Sequence, residues 1–343
     1  MAFYLSPQIA VVERDLSNYV AGISTSIGVY VGRATKGPVW QKTNVTNERS
    51  FTDLFGTPTE STYEDFFTVT SFLTYGNSLY FTRVVDKTAA KNSYIGIEGS
   101  SAALSAAASP SQPLSGTYIE YHNAEEIFNS GGTIYSQSFS GSLSASSIVF
   151  AAKYPGAYGN DDIKVAVVNY ATYQNIASTT LSGYATNIDD APESSDEFIV
   201  FVLVKNPDAT YSIAETFKCS TTENKKDSFG TNMYVETLIN TSSQYILAFH
   251  NTSASYLYPK SFIETSLTGG HDGADNDGAT DSGSLRQTGY SLYANPEEID
   301  VNIIIGGANT ATAVASAIIS LCESRKDCIG VLDVPKSDVV NVS

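Results

Sequence analysis

The pattern of hydrophobic and polar residues between Ile27 and Val85 predicts a strand, two helices and a second strand. The run from Ile27 is rich in β-branched and aromatic residues and ends at a Gly-Pro turn, which is typical of a strand. Asn47 is placed to cap a short helix, and Gly56 is placed to end it. Its predicted apolar face contains Phe51, Leu54 and Phe55.

A second helix is predicted from the capping-box spacing of Ser61 and Glu64, which would satisfy two backbone donors at its start. Gly76 supplies a stop signal. The predicted buried stripe of this helix consists of Phe66, Phe67, Thr70 and Leu73. The segment LYFTRVV that follows predicts a strand that is buried on at least one face.

The middle of the chain is dominated by strand signals. An Ala/Ser-rich, nearly uncharged stretch at 99–117 is typical of a loop. The turn cluster YPGAYGND precedes an alternating strand, DIKVAVVNY, and further strands are predicted at 197–205, 211–219 and 245–250. Asn206, Pro207 and Asp208 supply the turn chemistry of a hairpin. The pattern favours a β-sandwich or packed sheet with short helices.

The last part of the chain predicts strand, turn, helix and strand. Ile303–Ile305 is an apolar run suited to a parallel strand, a helix is predicted from Thr310 to about Ser324, and a further strand follows this helix. The turn at Gly306 and Gly307 fits neither G-x-G-x-x-G nor a Walker A motif, so a structural turn is favoured over a nucleotide site.

Size and composition indicate a β-rich α+β protein with more than one domain. The 343 residues exceed what one core usually holds, and the 42% hydrophobic content is enough for ordinary cores. The formal net charge of −17 argues against binding of nucleic acid, because phosphate neutralisation needs clustered Lys and Arg. No signal peptide or membrane-spanning run is present in the sequence, so we expect no membrane partner and synthesis in the cytosol.

The sequence contains no recognisable catalytic motif. The three histidines lack metal-binding spacing and there is no G-x-S-x-G elbow, so an enzyme is not predicted. The three cysteines match no zinc pattern, and their odd number argues against a disulfide framework, so reduced thiols are expected. No cofactor is predicted.

An acidic loop leaves one alternative open. Asp272, Asp275, Asp277 and Asp281 are candidate calcium ligands, although their spacing fails the EF-hand pattern. We favour a loop that binds no metal. The alternative function is a calcium-dependent virion surface adhesin.

Several phrases together resemble the tail sheath proteins of contractile-tailed bacteriophages, of the large-myovirus type. They are VTNE, FG-x-P, FL-x-YGN-x-L and RVVD in the first segment and LTGG-x-DG from Leu267. The resemblance implies a multidomain, β-rich α+β fold in which an α/β core domain is built from separated chain segments and carries inserted β domains. The implied parts are an N-terminal extended arm (1–22), the core domain (23–90 and 295–343), an inserted outward-facing β segment or protrusion (91–151) and a middle β-sandwich-like domain (152–294).

The resemblance also implies a structural function. Such subunits polymerise as stacked hexameric rings around the tail tube and contract by rearrangement, which drives the tube into the host envelope. The implied partners are other copies of the chain, the tail tube protein, and baseplate and tail terminator proteins. The implied location is the virion tail, assembled in the host cytoplasm. The resemblance also implies that residues 327–334 form a buried strand, after which family members continue into further core-domain elements. We therefore expect this chain, which lacks that usual C-terminal part, to be either a fragment or an unusually short member. The expected inter-subunit strand consists of Gln8, Ile9, Ala10, Val11, Val12 and Glu13.

Overall fold

A computed structural model of the chain describes residues 26–86, 90–100, 146–250, 258–273, 283–307 and 312–333. The strands in these ranges form one five-stranded sheet and two four-stranded sheets, with helices packed beside them. The protein is therefore an α+β, multidomain, β-rich fold, as the sequence predicted. None of the helices in these ranges is both long and apolar enough to cross a membrane.

The five-stranded sheet, here called the core sheet, joins the two ends of the described chain. Its strands are β1 (Gly28–Gly32), β2 (Thr43–Val45), β3 (Leu79–Arg83), β12 (Ile303–Ile305) and β13 (Ile329–Val331). They lie in the order β13-β12-β1-β3-β2, and all neighbours are parallel except β2 and β3. The first strand thus pairs with strands from both ends, which confirms a core built from separated chain segments.

Helices cover the two faces of the core sheet because its strands alternate their side chains between them. Tyr30 faces α1 (Glu48–Phe55) and α2 (Tyr63–Tyr75). Val29 and Val31 face the opposite side, where α6 (Gly283–Ser291) and α7 (Thr312–Arg325) lie. The buried apolar cluster on this second face also contains Tyr290, Val301, Ile304, Val314, Ile318 and Leu321.

Local signals placed α1 correctly and α2 only in part. Asn47 caps α1 in a capping box with Ser50, and Gly56 ends the helix with φ of 86°. The predicted Ser61–Glu64 capping box is wrong, because Thr62 is the N-cap and no side chain caps this helix start. Phe67 was also wrongly predicted as buried. It is 56% exposed, whereas Phe66, Thr70 and Leu73 lie against the core.

The other two sheets pack face to face as a β-sandwich. One contains β4 (Tyr94–Ser100), β5 (Ser146–Ala152), β9 (Ile246–His250) and β10 (Tyr258–Pro259). The other contains β6 (Ile163–Asn169), β7 (Glu197–Lys205), β8 (Tyr211–Ser220) and β11 (Phe262–Ser266). Inward residues of both sheets, with α5 (Val235–Ser242), form one apolar cluster. Two short helices, α3 (Tyr158–Asp162) and α4 (Tyr170–Tyr173), flank β6.

The predicted hairpin between β7 and β8 is confirmed with its turn. The Asn206 amide donates to the Thr210 carbonyl at 2.7 Å, and Asp208 accepts from the Thr210 amide at 3.0 Å. Pro207 lies between them and fixes one backbone dihedral of the turn.

One feature of the last segment differs from expectation. The strand predicted from Asp327 to Val334 is only β13 in the described residues. The resemblance implied a buried strand, which is wrong for the described residues. Ile329 and Val331 are 70% and 52% exposed, because β13 is an edge strand and it is Gly330 that faces α7.

The structure also shows where the two ends of the predicted 91–151 insertion lie. β4 and β5, on either side of 101–145, pair with each other, and β5 pairs with β9. The helix α6 falls within the predicted 152–294 segment, yet its Tyr290 packs against the core sheet. The domain limits themselves stay a prediction, and the N-terminal arm lies outside the described residues.

Candidate functional site: a buried junction between the sheets

Three motifs that are far apart in sequence meet where the core sheet joins the sandwich. They are the end of β3 at Arg83, the turn 154–161 and the segment 267–273. We call these residues, together with Gly37, the junction.

Arg83 is the central side chain of the junction, and it is fully buried. Its Nη1 atom donates to the carbonyl of Gly37 at 3.0 Å and to the carbonyl of Pro155 at 2.9 Å. Its Nη2 atom lies 3.6 Å from Oδ1 of Asp272. The guanidinium thus ties the loop after β1 to two segments that belong to the sandwich side. A buried cation is stable only with such partners, so its position is strongly specified.

Asp272 has a structural role at the junction. Besides its ion pair with Arg83, its Oδ1 atom accepts a hydrogen bond from the amide of Ala157 at 3.1 Å. One of the four candidate calcium ligands is therefore engaged by a cation of the same chain. Asp275, Asp277 and Asp281 lie outside the described residues, and the described part of the chain holds no cluster of three or more His, Cys, Asp or Glu suited to a metal.

Glycine is required where the two loops of the junction touch. A Cβ atom on Gly270 would lie 2.4 Å from the carbonyl oxygen of Gly156, which is fixed backbone. The same contact is held by a reciprocal pair, in which the Gly270 amide donates to Asn160 Oδ1 at 2.8 Å and Asn160 Nδ2 donates to the Gly270 carbonyl at 2.9 Å. The LTGG phrase thus forms a glycine-dependent turn.

Backbone pairing extends the junction to the chain that enters β4. Lys91 and His271 exchange two backbone hydrogen bonds of 2.8 and 2.9 Å, and Tyr94 and Thr268 exchange two of 2.8 and 3.2 Å. The chain that enters β4 is therefore paired with the segment 267–273 at two positions.

A second buried ion pair holds helices on opposite faces of the core sheet together. Arg286 of α6 donates to Asp65 of α2 at 2.9 and 3.0 Å, and both side chains are almost fully buried. The Tyr30 hydroxyl also donates to Asp65. Burial and the adjacent Asp65 charge raise the pKa of Tyr30 well above its usual value.

The glycine turn after β12 lies against this cluster. Gly307 has φ of 63°, and a Cβ atom there would lie 2.6 Å from the Tyr30 hydroxyl. The Gly306 amide donates to the Val331 carbonyl at 2.8 Å. Both glycines thus serve packing of the core sheet, in agreement with the structural turn that the sequence favoured.

A third charged network lies at the rim of the sandwich. Lys225 donates to Asp196 at 2.9 Å and to Glu197 at 2.7 Å. Burial raises the pKa of Asp196, but hydrogen bonds from Ser194, Lys225 and two further hydroxyls outweigh it, so the net pKa lies below the ordinary value. The carboxylate therefore stabilises the fold in its ionised form.

The sequence indicated the motifs of the junction but not their meeting. The predicted inter-subunit strand, Gln8, Ile9, Ala10, Val11, Val12 and Glu13, lies outside the described residues. Arg83 and Asp65 were not singled out as buried charges. The available signal was an arginine inside the apolar run LYFTRVV, since a charge within a buried strand needs a partner.

Comparison with known proteins shows that the chain is similar in sequence to phage tail sheath proteins. No protein-family model matches it. It is 24% identical to the tail sheath protein of Enterobacteria phage T4 and 25% identical to that of Vibrio phage KVP40, in each case over 98% of this chain. The chain spans 63% of the length of these curated relatives.

Two solved structures of bacterial sheath tail proteins are also similar. The protein from Desulfitobacterium hafniense covers 90% of this chain and 52% of its own length, at 12% identity and a TM-score of 0.45. The protein from Listeria innocua covers 91% of this chain and 48% of its own length, at 12% identity and a TM-score of 0.46. As its motifs indicated, this chain is similar to phage tail sheath proteins over nearly its whole length.

Proposed function

We propose that this chain is a structural subunit of a contractile phage tail sheath. In this proposal, subunits polymerise as stacked hexameric rings around the tail tube, and their rearrangement contracts the sheath and drives the tube into the host envelope. The observation that carries the proposal is the similarity to two tail sheath proteins over 98% of the chain.

The junction fits such a function. A sheath subunit must change its neighbours while it keeps its own shape, which is a rigid-body movement. Arg83 is buried and is held by hydrogen bonds to Gly37 and Pro155 and by an ion pair with Asp272. These contacts resist separation of the core sheet from the sandwich, because separation would leave buried polar groups without partners. The described sheets would therefore move as one body, with rearrangement confined to contacts between subunits.

The remaining parts of the proposal concern partners and place. We expect contacts with other copies of the chain, with the tail tube protein and with baseplate and terminator proteins, within the virion tail after assembly in the host cytoplasm. Gln8–Glu13 would add a strand to a neighbouring subunit, as extended segments do at exposed sheet edges. We propose a mechanical role and no catalytic activity.

The test of this function is immunogold electron microscopy of the source virions with antibody raised against the purified chain. We expect label along the whole tail, with a shorter axial spacing of the label after contraction. Preimmune serum is the control. Label restricted to one end of the tail, or to the capsid, would contradict the sheath assignment.

The strand exchange has a separate test. A phage that carries Val11→Pro loses one backbone donor in the expected strand, so we expect few intact sheaths. Val11→Ile keeps the donor and serves as the matched control. Normal sheaths on the Val11→Pro phage would exclude pairing through this segment while leaving the sheath function standing.

A further inference from the structure

Two thiols face each other where α7 ends. Cys322 lies in the last turn of α7, Cys328 lies just before β13, and their Sγ atoms are 3.8 Å apart. Both side chains are half-buried. A disulfide needs an S–S distance of about 2.05 Å, so the two sulfurs need to approach by less than about 2 Å.

The backbone between them is held in a tight reversal. Lys326 has φ of 63°, in the left-handed region, and its amide still donates to the Cys322 carbonyl at 2.9 Å. This turn carries the chain back along α7. Residue Ile329 is then fixed by its amide, which donates to the Asn302 carbonyl at 2.9 Å.

Arg325 anchors the same loop from within. It donates to Asp327 through Nε at 3.0 Å and through Nη2 at 2.9 Å. It also donates to the carbonyls of Tyr293 at 2.7 Å and of Ile299 at 2.9 Å. The loop that separates the two cysteines is therefore fixed on both sides, and the thiols are brought together before any bond forms.

The third cysteine differs in its exposure and in its neighbours. Cys219 lies in the apolar cluster of the sandwich with no exposed surface. Burial raises the pKa of its thiol, so it supplies almost no thiolate. It is an internal reference for an unreactive thiol in the same chain.

We propose that Cys322 and Cys328 form a reversible intramolecular disulfide when the protein meets a low-molecular-weight disulfide such as oxidised glutathione. One thiolate attacks the reagent, forms a mixed disulfide and releases one glutathione thiolate. The second cysteine then attacks the protein sulfur of that mixed disulfide and releases the second glutathione. Two protein thiols are oxidised, one glutathione disulfide is reduced to two glutathione molecules, and the two thiol protons end on these products.

The bond would link the end of α7 to the strand at the edge of the core sheet. Without the bond, β13 is held by its backbone pairing with β12 and by the packing of Gly330 on α7, where a Cβ would lie 2.9 Å from Ile318. Burial and the neighbouring Cys322 raise the pKa of Cys328 to about 12, so this thiol reacts faster as the pH rises.

Mass spectrometry of the full chain tests the proposal. Reduced protein is incubated with oxidised glutathione at pH 8, denatured, and labelled with N-ethylmaleimide. Before oxidation we expect three adducts, one for each cysteine of the sequence. After oxidation we expect one adduct, on Cys219, and a peptide in which Cys322 and Cys328 are linked.

Two variants test whether the disulfide forms because the two thiols are neighbours, and not only because they are exposed to the reagent. In Cys328→Ser we expect Cys322 to stop at the mixed glutathione disulfide or to stay reduced, whereas Cys219→Ser is expected to close the ring as the native chain does. Oxidation should also raise the melting temperature of the native chain by a few degrees, about 2–5 °C, and leave that of Cys328→Ser unchanged. Three adducts after oxidation, a stable mixed disulfide in the native chain, or disulfide-linked dimers would overturn the proposal.

Discussion

Replacement of Arg83 is the sharpest test of the junction. Arg83→Met keeps a long apolar side chain and removes the guanidinium, which leaves the buried carbonyls of Gly37 and Pro155 and the Asp272 carboxylate without their partner. A buried acceptor left unpaired costs about 1–3 kcal/mol, and the ion pair contributes less than a fully buried one because the Asp272 side chain is 26% exposed. Since these contributions share one side chain, we expect a total loss of about 4 kcal/mol in the free energy of unfolding.

Two probes follow unfolding in urea on either side of the junction. The single tryptophan, Trp40, donates its backbone amide to the Arg83 carbonyl at 2.9 Å, so its fluorescence reports the core sheet. Alkylation of the fully buried Cys219 reports opening of the sandwich. With a denaturant slope of about 3 kcal/mol per molar urea, the expected loss lowers both midpoints by more than about 1 M.

Controls isolate the geometry from the charge. Arg83→Lys keeps the charge, but one ammonium does not reproduce the planar fork, so an intermediate decrease is expected. Arg49→Met removes an exposed arginine whose ion-pair partner among the described residues is Asp53, and the midpoints should stay unchanged. A midpoint for Arg83→Met equal to that of the native chain would refute the reasoning. A shift of the Trp40 signal alone would show that the bonds to the sandwich contribute nothing.

Three further predictions use matched positions and thermal or urea unfolding. Ile304→Ala should lower the free energy of unfolding by about 2–5 kcal/mol, because Ile304 is fully buried. Ile329→Ala on the neighbouring strand should lower it by under about 1 kcal/mol, because Ile329 is 70% exposed. Equal losses would contradict the burial assigned to these two positions. Gly270→Ala should lower the free energy of unfolding by about 1–3 kcal/mol, because the added Cβ would lie 2.4 Å from a backbone oxygen. Gly183→Ala should leave it unchanged, because an added Cβ there meets nothing within 4 Å. The reverse order would exclude the contact of the two loops. Asp196→Asn should lower the melting temperature at pH 7. The difference in melting temperature from the native chain should shrink as the pH falls below about 4, because a carboxyl group with a lowered pKa stabilises the fold only while it is ionised. A difference that stays constant down to about pH 2 would contradict this role.

The sequence was most informative where structure depends on a few adjacent residues. Asn47 marks the start of α1 and Gly56 marks its end. A helix start needs a side-chain acceptor and a helix end needs a residue that can adopt positive φ, and both requirements are local. The Asn206–Asp208 turn is likewise formed by atoms within a few residues of each other. The combination of phrases in the first segment and near Leu267 was enough to indicate the resemblance to sheath proteins, which the relatives confirm.

Local signals failed where burial depends on which element covers a position. Periodicity placed Phe67 beside Phe66 on α2, but it does not say how far the sheet and α1 extend over that helix. The same limit applies to β13, for which the resemblance implied burial. The structure places it at the edge of the core sheet, where Ile329 and Val331 are largely exposed among the described residues.

By itself, then, the sequence determined the ends of α1, the hairpin turn, the β-rich character and the family resemblance, because each depends on residue type and short spacing. Only the tertiary structure decided that Arg83 meets Pro155 and Asp272 and that Asp65 meets Arg286, which lies 221 positions away along the chain. Such pairs depend on strand order and on the packing of distant segments. The free energy of a buried charge is set by whichever groups the fold brings within hydrogen-bond distance, and sequence spacing carries no record of them.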